Sequence, residues 1–101
     1  KGNCQVHVFT YTGTGTYGNS GPTYVYFSKS PVFFIIMGGD YFALGSRQMS
    51  RVLLDLSQNN SDATASWSGN RLAFSAGAAA WQLNQSGTIY TVVALYANDG
   101  T

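Results

Sequence analysis

Apolar runs in this chain are short, rich in β-branched and aromatic residues, and interrupted by glycine, proline, asparagine or serine. The longest, "PVFFIIM" at 31–37, is far below the roughly 20 residues that a membrane helix needs. Runs of this kind suit strands, because branched and aromatic side chains pack well on a pleated surface. The pattern predicts strands at 4–12, 23–28, 32–37, 62–67, 71–75 and 88–96. "SGN" at 68–70 links two of them as a hairpin, since Gly and Asn accept left-handed backbone angles. "PVFFIIM" fits a strand buried on both faces, or the inner strand of a small sandwich. The stretch 46–57 has two readings. Met49, Val52, Leu53 and Leu56 fall at helical spacing behind a capping Ser46, while Val52, Leu54 and Leu56 alternate as in a strand. Neighbouring strands favour the second. The expected architecture is all-β: a single domain over 1–101, folded as a small antiparallel β-sandwich of about six to seven strands.

Gly13-Thr14-Gly15-Thr16-Tyr17-Gly18 spells G-x-G-x-x-G. A dinucleotide site needs that motif to follow a strand and open a helix, whose N-terminal amides hold the pyrophosphate. A strand signal precedes it, but Asn19, Ser20, Gly21 and Pro22 follow, and then "TYVYF". The glycines are therefore expected to form a long connection between two strands, with no nucleotide bound.

Charged residues make up 9% of the chain, hydrophobic residues 45%, and glutamate is absent. The net charge of +1 and the scatter of Lys1, Lys29, Arg47, Arg51 and Arg71 give no basic stripe, so neither nucleic acid nor an anionic membrane surface is an expected partner. So few charges leave two explanations: apolar surface is buried between subunits, or Ser, Thr, Asn and Gln cover the exterior. Cys4, alone, forms no internal disulfide. No signal peptide or membrane span is expected, and the start at Lys1 is consistent with a fragment of a longer protein.

Little here suggests catalysis. Asp40, Asp55, Asp62 and Asp99 show no spacing that pairs two carboxylates across a bond. His7 flanks Val6 and Val8 as an outward strand residue would, and no G-x-S-x-G elbow is present. One Cys and one His give little to build a zinc centre from, and no loop supplies a row of oxygens for calcium. Neither a metal nor a cofactor is expected. The material for recognition is better. Seven tyrosines, Trp67 and Trp81 offer planar faces that stack on sugar rings, and Asn, Gln, Asp and Arg read hydroxyls. Trp67, just before a turn, is expected to pack over it. Asp40, Tyr41 and Arg47 lie in "GGDYFALGSRQ", read as a polar-aromatic loop bounded by glycines, and with Trp81 they are the candidate ligand-binding residues.

Four stretches taken together, "YTGTGTYGNSGP" (11–22), "SKSPVFFII" (28–36), "ASWSGNRLAF" (65–74) and "WQLNQSGTIYTVVAL" (81–95), resemble the C-terminal receptor-binding tip domain of bacteriophage tail-fibre and baseplate proteins, chiefly from prophages of Gram-positive bacteria. A looser likeness links the layout to the sandwich of H-type lectins. The resemblance implies a homotrimer at the virion tail tip, outside the cell. It also implies binding to a host cell-surface polysaccharide or another envelope receptor, without catalysis or membrane insertion. It carries over no binding residue, and 38–50 departs from the family's pattern. Two other roles remain: a trimerisation or capping domain of the fibre, and a fragment of a polysaccharide depolymerase.

Overall fold

A computed structural model describes residues 4–46, 49–55 and 60–97. These residues hold eight strands and no helix: β1 (Cys4–Thr12), β2 (Thr23–Tyr26), β3 (Phe33–Gly38), β4 (Tyr41–Gly45), β5 (Arg51–Asp55), β6 (Asn60–Ser68), β7 (Arg71–Phe74) and β8 (Ile89–Ala97). They form one antiparallel sheet in the order β1-β8-β3-β4-β5-β6-β7-β2. The all-β expectation holds, and 51–55 is a strand. The count is eight rather than six to seven because β4 occupies the middle of the segment read as a loop.

The sheet curls over on itself through β6. Residues 60–64 of β6 pair with β5, and residues 65–68 pair with β7. The short β7 and β2 thereby fold back over the longer strands. Alternation decides what is enclosed. On β8, Tyr90, Val92, Ala94 and Tyr96 face inward, and they meet Phe34 and Ile36 of β3, Val25 of β2, and Leu72 and Phe74 of β7. Phe27, just after β2, brings its ring within 5.3 Å of Phe34 and 5.9 Å of Trp67. Burying each such side chain contributes about 1.5–3 kcal/mol. Trp67 thus belongs to the core margin, as its place before the Gly69 turn suggested.

The sheet's two ends approach without pairing. Phe9 of β1 meets Phe27 edge-on at 6.0 Å, but no ladder joins β1 to β2. Among the described residues no helix is long and apolar enough to cross a membrane.

Candidate functional site

Strand direction sorts the connections. Thr12 pairs with Ile89 and Gly38 with Tyr41, so the connections 13–22 and 75–88 and the turn after β3 all lie at one end of the sheet. Gly45, the β6–β7 turn and the start of β1 lie at the other.

Two buried amides build the first end. Gln82 is fully buried, and its Oε1 accepts from the Gly18 amide at 2.9 Å and the Ala76 amide at 2.8 Å. Its Nε2 donates to the Gly21 carbonyl at 2.8 Å and to Thr23 Oγ1 at 3.0 Å. Asn84 Oδ1 accepts from the Thr14 amide at 3.0 Å, and its Nδ2 donates to Thr14 Oγ1 at 2.9 Å and the Thr16 carbonyl at 3.0 Å. Between them Leu83 turns into the core at φ 56°, strain that a non-glycine residue holds only when its surroundings fix it. A buried amide with every polar atom partnered locks its neighbours in one geometry.

These bonds explain the glycine motif. Gly13 sits against the Gln85 carbonyl, where a Cβ would collide with backbone. Gly15 and Gly18 take φ of 92° and 80°, a region that side chains rarely enter. The motif cradles a neighbouring loop, and β2 follows it.

The candidate binding residues divide. Asp40 sits exposed in the turn after β3, Tyr41 opens β4 half-buried, and Trp81, 40% exposed, lies on the 75–88 connection with Gly77 beside its ring. All three belong to the first end. Arg47 lies outside the described residues, and the segment carrying it follows Gly45, the end of β4 remote from Tyr41. The expectation of one loop over "GGDYFALGSRQ" is therefore corrected. Ala43 is buried opposite Ile36, and Phe42 and Leu44 pair with Met37 and Ile35, so cross-strand packing draws the segment into the sheet. Sequence reading also missed Gln82 and Asn84, whose role rests on partners about 60 to 70 residues away.

The outward side of β1, β8, β3 and β4 is apolar. Register aligns Val6 with Leu95 and Phe33, Val8 with Val93 and Ile35, and Thr10 with Thr91 and Met37. Val6, Val8, Phe33, Met37 and Ile89 each keep between 39 and 65% of their surface exposed. No charged residue occupies an outward position on these four strands. Soluble monomers rarely expose a contiguous apolar patch beyond a few hundred Å².

Titratable groups form no reactive cluster among the described residues. His7 Nδ1 lies 3.2 Å from the Tyr96 hydroxyl, which also accepts the Ser28 amide at 3.3 Å, and the His7 ring rests near Phe9. Burial, and secondarily Tyr90, push the Tyr11 hydroxyl well above the usual tyrosine range. That hydroxyl donates to the Leu83 carbonyl at 2.8 Å. No group of three or more His, Cys, Asp or Glu gathers among the described residues. The side chains of Asp55 and Asp62, and Asp99 as a whole, lie outside them. Comparison with protein-family models, with curated proteins and with solved structures gave no match.

Proposed function

We propose that the chain is a receptor-binding tip domain of a bacteriophage tail fibre, a non-enzymatic homotrimer that contacts a host-surface glycan through its loops. The uncharged outward face of β1, β8, β3 and β4 carries this reading. Three copies that turn this face inward remove its valines, Phe33, Met37 and Ile89 from water without burying an unpaired charge. The clasped loops supply the opposite kind of surface. Thr14, Thr16, Tyr17, Asn19 and Trp81 are exposed on a backbone fixed by Gln82 and Asn84, and such Tyr-, Ser- and Asn-rich surfaces suit adaptable recognition. Tripled loops make weak single contacts additive. Two of the four stretches that carry the family resemblance, 11–22 and 81–95, hold each other in this clasp.

Sedimentation equilibrium on the purified chain tests association: a trimer is expected, and a monomer at micromolar concentration overturns the reading. Attachment of the labelled trimer to host cells, in competition with the phage, tests recognition. A trimer that attaches to nothing makes the domain a structural cap of the fibre.

A further inference from the structure

A groove of about 310 Å³ crosses the other outward face, formed by β2, β7 and the second half of β6. Its cause is local. Register places Ala73 between Tyr24 on one side and Ser66 on the other, so a small residue separates larger neighbours. Thr64 extends the β6 wall, and Asn19 and Ser75 close the end nearest the loops, with Ser75 Oγ donating to Asn19 Oδ1 at 3.3 Å.

Arg71 lines this groove. Its guanidinium carbon lies 4.6 Å from the centre of the Tyr24 ring, a stacking that holds the fork flat but offers no acceptor. Arg71 is half-buried, and its side chain makes no hydrogen bond or ion pair to any described residue. Its Nε is shut away from solvent without a partner. Burying a charged donor unpaired sacrifices its hydration with no return, and such groups in native structures call for an explanation. No carboxylate lines the groove among the described residues. A cation without an acidic partner among the described residues, and bordered by hydroxyls, matches a planar or tetrahedral oxyanion.

We propose that this groove binds an oxyanion, carboxylate or phosphate, carried on a polyhydroxylated ligand. Arg71 contacts the anion, Tyr24 positions Arg71, and Thr64, Ser66 and Asn19 read neighbouring hydroxyls. The proposal rests on the receptor reading only for the ligand's source, a host surface rich in acidic sugars or polyol phosphates.

Amide chemical-shift titration of the full chain tests it with four probes: glucuronate, glycerol phosphate, glucose and inorganic phosphate. Glucuronate or glycerol phosphate should shift the amides of Arg71, Ala73 and Ser66, and bind at least tenfold more tightly than glucose and inorganic phosphate. Preference between the two acidic probes identifies the source as carboxylate or phosphate. Arg71→Gln should remove at least tenfold, Arg71→Lys should restore part of it, and Ser66→Ala, which leaves the Tyr24–Arg71 stack in place, should cost a few-fold. The proposal falls if glucose or inorganic phosphate binds as well as the acidic polyols, if none of the probes shifts these amides, or if Arg71→Gln and Ser66→Ala both leave affinity unchanged. Host-cell attachment, measured on the same proteins, separates the two readings. Wild-type chain that binds glucuronate yet attaches to no host leaves the groove standing and removes the receptor. Attachment that persists while no probe binds removes the groove alone.

Discussion

One sheet presents two outward faces, and they differ in kind. Across β1, β8, β3 and β4 the outward residues are valine, isoleucine, phenylalanine, methionine and threonine, without a charge. Across β2, β7 and the end of β6 they are Tyr24, Tyr26, Arg71, Ala73, Ser66 and Ser68. Both faces back onto the same core, so burial of the inward residues explains neither. Alternation fixes one side of a strand by the needs of folding and leaves the other side free. What each outward side carries therefore reports a second demand. On the function proposed above, the first face is the one that three copies cover and the second the one that a ligand reaches.

The largest expected effect breaks this contrast directly. Val8 is 57% exposed on the apolar face and Tyr26 67% exposed on the polar one, both on end strands of the sheet. A change to aspartate at either costs the isolated fold little, because neither side chain is enclosed. Val8→Asp places a carboxylate in the proposed association surface, where an unpaired buried charge costs about 3–5 kcal/mol per subunit. Sedimentation should show that variant as a monomer, at concentrations where Tyr26→Asp is still a trimer. Equal behaviour of the two variants would mean that the faces do not differ in function.

A smaller effect sharpens the contrast by asking what supports the polar face. Asn19 and Ser75 stand on the two connections that Gln82 ties together. Gln82→Leu keeps the side chain's bulk, leaves the Ala76 amide without its acceptor, and leaves the Gly18 amide only the Ala76 carbonyl at 3.1 Å. The expected loss is about 2 kcal/mol in urea unfolding, since an orphaned buried donor costs about 1–3 kcal/mol. Hydrogen exchange should quicken at those two amides, while the association of the apolar face persists. Unchanged stability would show that the amide clasp is ornamental and that the loops hold their shape by packing.

How much of this was legible in the sequence follows from the distance over which each feature is decided. The strand at Ile89–Ala97 is written in its own alternation, and the hairpin at Gly69 in its own turn residues. "PVFFIIM" fits a strand buried on both sides or the inner strand of a small sandwich, and this chain covers only the side of Phe34 and Ile36. Phe33 and Met37 stay exposed, which a run of unbroken apolar residues does not reveal. β4 was hidden because glycines at 38, 39 and 45 gave turn signals on both sides of a segment only five residues long. The fate of Asp40, Tyr41 and Arg47 as a group turned on that strand, which sends the chain away from Tyr41 before Arg47 is reached. Gln82, Asn84 and the Arg71 groove were out of reach for another reason. Their meaning depends on register and on loops about 50 to 70 residues apart, and nothing local marks a glutamine as a clasp.

The smallest expected effect probes the seam where the two arms of the sheet meet. Tyr11 of β1 stacks on Tyr90 at 5.2 Å and donates to the Leu83 carbonyl, tying the end strand to the clasp. Burial, more than the neighbouring Tyr90, raises its hydroxyl above the ordinary value of 10.0. The folded chain keeps this proton where the unfolded chain releases it, so above pH 10 the unfolded state binds fewer protons and stability falls as pH rises. The contribution is complete below pH 10 and is lost through the alkaline range, at a slope of up to about 1.4 kcal/mol per pH unit. Tyr11→Phe removes one hydrogen bond and should cost about 1 kcal/mol at neutral pH, but it also removes that titration. Urea midpoints followed from pH 8 to pH 11 should therefore converge, with wild type losing its advantage as alkali is added. Parallel curves would place the alkaline sensitivity elsewhere and leave Tyr11 as a packing residue beside the Phe9–Phe27 contact.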